Sequence, residues 1–110
     1  SILDKCIAYD KVGIIGISFK PNSPVVIGSP SSKLIQDLIE KNITVFAYDE
    51  FDESFSNLNG LEDKIIKCKT PQECVDKSDA IAIMHPDNKF SSLNISDKFV
   101  IDNWGVLDGN

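Results

Sequence analysis

KVGIIGISF, from Lys11 to Phe19, is a nearly continuous apolar run of strand length. A strand with one wet face alternates apolar and polar residues, because successive side chains point to opposite sides of a sheet. A run without that alternation is covered on both faces, and such cover comes from helices packed against a parallel sheet. The rest of the chain supplies the matching parts. ITVFAY (Ile43 to Tyr48) is β-branched and aromatic and reads as a second strand ending at Asp49. KIIKC, AIAIM (Ala80 to Met84) and KFVIDNW (Lys98 to Trp104) read as a third, fourth and fifth.

Helical patterns separate these runs. In SPSSKLIQDLIEKN, Ser29 is suited to cap a helix and Pro30 to its first turn, where a missing N–H costs nothing. Leu34, Ile35, Leu38 and Ile39 form one apolar stripe, and Asn42 is suited to a left-handed stop. TPQECVDKSD opens with a capping-box pattern, Thr70 to Glu73, around Pro71. Between Glu50 and Asp63 the chain is acidic and turn-rich, and Asp52, Glu53, Glu62 and Asp63 read as a solvated surface. Strands alternating with helices predict an α/β fold, a Rossmann-like three-layer sandwich around a five-stranded parallel sheet.

Composition narrows the function. At 110 residues the chain is one domain in length, and a net charge of −6 disfavours nucleic acid and anionic membrane surfaces as partners. No apolar run approaches the roughly 20 residues that span a bilayer, and SILDKCIAYD lacks the basic start and long apolar stretch of a secretory signal. Cys6, Cys68 and Cys74 are odd in number and lack CxxC spacing, which points to structural thiols in a reducing cytoplasm. A first residue that is not Met, with apolar patterning almost at once, is the expectation for a piece of a longer protein.

In a parallel sheet, ligands gather beyond the carboxyl ends of the strands, near the switch point of the topology. Lys20, Asp49, His85 and Trp104 each follow a predicted strand and would lie along that edge. Gly13 and Gly16 do not make G-x-G-x-x-G and fall within the predicted strand, so close helix packing is their expected role, and a dinucleotide site is not. Lys20, stiffened by Pro21 and followed by a helix start, is a candidate anion ligand or a solvent-exposed turn lysine. His85 stands where an acid–base group could sit, but without an assignable partner it reads as a loop histidine held before Pro86. Trp104 is suited either to stacking on a base or ribose or to covering the sheet edge.

These segments together resemble the C-terminal domain of UDP-glucose/GDP-mannose dehydrogenases. GISFKPNS…SPSSKLIQDLIEKNITVFAYDEF, CVDKSDAIAIMHPDNKFSSLNI and FVIDNWGVLD follow that family's order and spacing over nearly the whole chain. The resemblance implies that residues 1–110 are a single C-terminal nucleotide-sugar-binding domain of a longer cytoplasmic enzyme, a homodimer serving polysaccharide biosynthesis. Such enzymes oxidise the C6 alcohol of a UDP- or GDP-sugar to the carboxylate with two NAD molecules in succession. NAD is held mainly by an N-terminal Rossmann domain, and the catalytic thiol lies in a motif outside these residues. By motif match, Phe19 and Lys20 would face the nucleotide-sugar at the interdomain cleft.

The match also has departures. SPVVIGS (Ser23 to Ser29) stands where the family carries an acidic pair, an arginine and a glutamate, so Ile27 takes an arginine's place. Trp104 takes that of a second arginine. Loss of two guanidinium contacts weakens phosphate binding unless something replaces them. The departures admit an altered nucleotide-sugar ligand, with Trp104 stacking, or a non-catalytic paralogue retained for assembly or regulation.

Overall fold

A computed structural model describes residues 1–18, 23–26, 28–102 and 104–107. Five strands, β1 (Lys11–Ile15), β2 (Thr44–Tyr48), β3 (Ile66–Lys67), β4 (Ala80–Ile83) and β5 (Phe99–Ile101), form one sheet. Every pairing is parallel and the order is β3-β2-β1-β4-β5. Four helices accompany them: α1 (Ile2–Cys6), α2 (Pro30–Glu40), α3 (Asp52–Ser56) and α4 (Pro71–Lys77). This is the expected Rossmann-like α/β sandwich.

The period-two rule divides the core into two layers. Val12 and Ile14 of β1, Val45 and Ala47 of β2, and Ala80 and Ala82 of β4 face one side, against Leu34, Ile35 and Leu38 of α2. Ile15, Phe46, Ile81 and Ile83 face the other, against Cys74 and Val75 of α4 and Val106 and Leu107 beyond β5. All four residues of β4 are buried, so its AIAI composition reflects cover on both faces.

Local signals account for the helices. Ser29 Oγ accepts the Ser32 N–H at 3.1 Å, with Pro30 next to it in the first turn. Asn42 turns the chain out of α2 with φ of 62°. Thr70 Oγ1 accepts the Glu73 N–H at 3.0 Å, but the Glu73 carboxylate reaches Lys69 N at 2.7 Å and Lys77. The expected capping box is therefore half formed, its acid drawn to a lysine one turn further along.

Several boundaries differ from the expected ones. β1 ends at Ile15, because Gly16 turns the chain with φ of +98°. β3 keeps only two residues and lies at the sheet edge, and β5 stops at Ile101. Helix α3 and a 3₁₀ turn at Leu61–Lys64 occupy the acidic segment between Glu50 and Asp63. The acidic residues sit in the first turns of both, Phe55 is buried beneath α3, and Asp52 pairs with Lys67 at 2.7 Å. Helix α1 was not signalled by apolar periodicity; its Ser1–Asp4 capping box starts it.

Candidate functional site

The chain steps from β1 outward to β2 and β3, then returns across the sheet to β4 on the other side of β1. The switch point therefore lies between the carboxyl ends of β1 and β4. Residues that follow β1, β2 and β4 meet there.

Gly16 is the first of these. Its N–H donates to Tyr48 O at 2.8 Å, extending the pairing of β1 with β2 by one residue. Its carbonyl accepts the Ser31 hydroxyl at 2.6 Å, which ties the first turn of α2 to the end of β1. Its α-carbon lies against His85: a Cβ there would stand 2.5 Å from the imidazole Cγ. A positive φ and a filled Cβ position together require glycine. Gly16 thus belongs to the turn after the strand, while Gly13 has the expected packing role. A Cβ on Gly13 would stand 2.5 Å from Ser78 Oγ and 3.0 Å from Cys74 Sγ, so its absence lets α4 approach the sheet.

Asp49 follows β2, is 7% exposed, and has both oxygens engaged. Oδ1 accepts the Ile17 N–H at 2.8 Å and the Ser18 N–H at 3.2 Å. Oδ2 accepts the Ser54 hydroxyl at 2.7 Å and the Phe51 N–H at 3.1 Å. A carboxylate after the second strand of a dinucleotide-binding fold commonly takes a ribose hydroxyl. Here that carboxylate is turned inward and joins the segment after β1 to the start of α3.

His85 follows β4 and is 4% exposed. Its Nε2 lies 2.9 Å from Ser18 O and 3.3 Å from Ser18 Oγ. A carbonyl oxygen only accepts, so Nε2 carries a proton and donates. The expected loop histidine is thus a buried anchor whose partner comes from another strand end. Asp49 and His85 grip the two sides of one residue, Ser18, the first by its N–H and the second by its carbonyl.

The loop continues along α3. Asn57 Nδ2 donates to Pro24 O at 3.0 Å, and a hollow of about 310 Å³ opens beside it, lined by Val25, Val26, Ser56, Asn57 and Asn59. Phe19, Lys20 and Ile27 lie outside the described residues. Trp104 is 57% exposed. Its turn is held by the Asp102 carboxylate, which accepts the Val106 and Leu107 N–H groups at 3.1 Å each, so those two residues pack inward and Trp104 stays out. Among the described residues no hydrogen bond or ring contact joins Trp104 to Asp49 or His85.

Cys6, Cys68 and Cys74 are buried free thiols. Burial pushes Cys6 up, and a hydrogen bond with Cys68 together with burial pushes Cys74 far above the thiol range. Cys68, the other partner of that bond, is lowered. Among the described residues no group of three or more His, Cys, Asp or Glu could hold a metal, and no helix is long and apolar enough to cross a membrane.

Comparison with known proteins bears on this geometry. Residues 13–109 match the model of the UDP-glucose/GDP-mannose dehydrogenase family, UDP binding domain. A UDP-N-acetyl-D-mannosamine dehydrogenase from Methanococcus vannielii is 32% identical over 91% of this chain and 24% of its own length. A GDP-mannose 6-dehydrogenase from Pseudomonas putida is 28% identical over 92% of the chain and 26% of its own. A UDP-glucose dehydrogenase structure from Pyrobaculum islandicum shares the fold, with a TM-score of 0.80 at 23% identity over 92% of this chain and 24% of that one. The chain spans about a quarter of the length of the curated relatives it matches.

Proposed function

The chain belongs to the UDP-glucose/GDP-mannose dehydrogenase family, matching its UDP binding domain, and from that we propose that residues 1–110 bind the nucleotide-sugar in an NAD-dependent nucleotide-sugar 6-dehydrogenase. The supporting observation is the family match over residues 13–109, which spans the FKPN segment and the SPSS start of α2. In the whole enzyme the C6 alcohol of a UDP- or GDP-sugar would be oxidised to the carboxylate, in the cytoplasm and by a homodimer. Lys20 is assigned to an anionic group of the substrate, with Phe19 and Trp104 as its neighbours at the site.

NAD supplies the hydride acceptor for such an oxidation. The described residues do not fit it: the segment after β1 lacks the Gly-rich turn, and Asp49 spends both oxygens on Ile17, Ser18, Phe51 and Ser54. NAD is therefore assigned to a part of the protein outside this chain, and these residues serve to bind and orient the sugar nucleotide.

The test is Lys20→Ala in the full-length enzyme, with an expected loss in kcat/KM of about tenfold or more, about 1.4 kcal/mol. Unchanged kinetics would remove Lys20 from the site. A second reading, a non-catalytic paralogue domain used for assembly or regulation, draws on Ile27 and Trp104 at positions where the family carries arginines. A G-x-G-x-x-G after a first strand and a cysteine in a Gly-rich loop, both upstream in the whole protein, support the enzyme, and their absence supports the paralogue.

A further inference from the structure

Cys68 and Cys74 come from separate places, the end of edge strand β3 and the body of α4, yet the same two strands fix both. The Cys68 N–H donates to Ala47 O of β2 at 2.8 Å. The Cys74 thiol donates to Ile14 O of β1 at 3.8 Å. Ile14 and Ala47 are register partners across β1 and β2, so neighbouring strands hold the two cysteines side by side. A hydrogen bond joins their thiols. Both belong to the α4 layer of the core, whereas Cys6 lies in the α2 layer on the opposite face of the sheet. All three are free thiols.

We propose that Cys68 and Cys74 are a redox pair that closes to a reversible disulfide under hydrogen peroxide, with Cys68 the attacking thiol and Cys74 the resolving one. The Cys68 thiolate attacks one peroxide oxygen, the O–O bond breaks, and the departing hydroxide takes a proton to become water. Cys68 is then a sulfenic acid. The Cys74 sulfur attacks the Cys68 sulfur, the S–O bond breaks, and the hydroxide leaves with the Cys74 proton as a second water. The two thiols give up two electrons and the peroxide takes them. Cys68 reacts first because it stands at the sheet edge and its hydrogen bond with Cys74 eases its ionisation. Cys74 is held protonated chiefly by that same bond, and the restraint lifts once Cys68 carries oxygen in place of charge. Sulfurs already in contact have only to close to about 2.05 Å.

The test exposes the full-length protein, folded and reduced, to hydrogen peroxide. Catalase then removes the peroxide, and the protein is unfolded in denaturant containing N-ethylmaleimide to cap every remaining thiol. Trypsin cuts after Lys67, Lys69 and Lys77, so the bond appears as Cys68–Lys69 joined to Thr70–Lys77, lighter by two hydrogens. Cys68 and Cys74 should lose their capping together, dithiothreitol should restore both, and Cys6 should stay capped throughout. In Cys74→Ala the resolving thiol is gone, and sulfinic acid at Cys68 should rise about tenfold over the unaltered protein. Should that variant fail to fold, Cys74→Ser, closer in volume, takes its place with the same expectation. Sulfinic acid at Cys68 of the unaltered protein with Cys74 still capped overturns the proposal. So does capping of both that peroxide leaves undiminished. Loss of Cys6 in step with the pair overturns it as well, because oxidation would then be following unfolding of the core rather than the pairing of two thiols.

Discussion

Asp49 Oδ1 accepts the Ile17 N–H at 2.8 Å, joining the residue after β2 to the second residue after β1 across 32 positions of sequence. The same carboxylate takes three further donors, from Ser18, Phe51 and Ser54. Amides left without it would lose a charged hydrogen-bond partner. Asp49→Asn keeps the volume but turns one oxygen into an NH₂ group facing N–H or O–H donors. The expected cost is on the order of 2–4 kcal/mol. Urea unfolding of the two proteins measures it, and a midpoint unchanged at constant m would remove Asp49 as the organiser of this corner.

Gly13 and Gly28 offer a contrast in why glycine is needed. At Gly13 a Cβ would meet Ser78 Oγ at 2.5 Å, whereas at Gly28 nothing among the described residues lies within 4 Å, and φ of +77° is what resists a side chain there. Gly13→Ala is expected to cost about 1–3 kcal/mol by forcing α4 away. Part of that cost should vanish in a Ser78→Ala background, a coupling of at least about 0.5 kcal/mol in a double-mutant cycle. Gly28→Ala should cost about 1–2 kcal/mol from backbone strain and show no such coupling. Additive effects of Gly13→Ala and Ser78→Ala would show that the close approach is not what selects glycine.

The Glu73–Lys77 pair on α4 carries a pH signature. Lys77, with the Lys69 N–H, lowers the Glu73 carboxyl from its ordinary 4.5, and Glu73 raises Lys77 from 10.5. A lowered acid contributes stability above its unfolded value and loses it as pH falls through its folded value. A raised base contributes below its unfolded value and loses it as pH rises through its folded one. The pair is therefore worth most between those limits. Glu73→Gln should lower the thermal midpoint near neutrality, with the gap to the unaltered protein closing as the medium is acidified below the carboxylate range. A gap that stays constant down to that range would assign the helix start to Thr70 alone.

The thiols differ in how readily they ionise. Cys6 and Cys74 are raised, while Cys68 is lowered by its hydrogen bond with Cys74 and stands just beyond the two-residue β3. Reaction with a charged disulfide reagent in the folded protein should be slow at all three, since each is buried. Mass mapping of partially modified protein should place the first adduct on Cys68. Early modification of Cys6 or Cys74 would mean that the α1 or α4 side of the core opens before the edge of the sheet.

What could be read from residues alone follows a physical division. Ser29, Pro30 and the stripe Leu34, Ile35 and Leu38 mark α2 because cap, first turn and apolar face are all local in sequence. AIAI marks β4 because burial on both faces removes polar residues from it. Helix α3 carries no side-chain cap at Phe51 and only Phe55 as a deep anchor, so an acidic turn was the natural expectation. The strand-end placement of Asp49 and His85 was evident, but their roles were not. Each takes a partner from after β1, 31 and 67 positions away, and such pairings are decided by topology rather than by neighbours. Trp104 shows the same division: a lone tryptophan after a strand is ambiguous until the inward packing of Val106 and Leu107 leaves it outside.

The central place of β1 also sets an order of assembly. β1 and β2 are joined by a single helix, so their pairing closes a short loop, while Val12 waits for Ala80 and Ile15 for Ile83. Closing the longer loop carries the larger entropic cost, and it comes before the contacts that repay it. During synthesis from the amino end, β1 leaves the ribosome before β4 and remains one-sided until β4 follows. For that interval the chain holds an open apolar edge along its innermost strand. The last segment needed to close the centre of the sheet is thus one made well after the centre itself, and the nascent protein is most prone to sticking in the stretch between them.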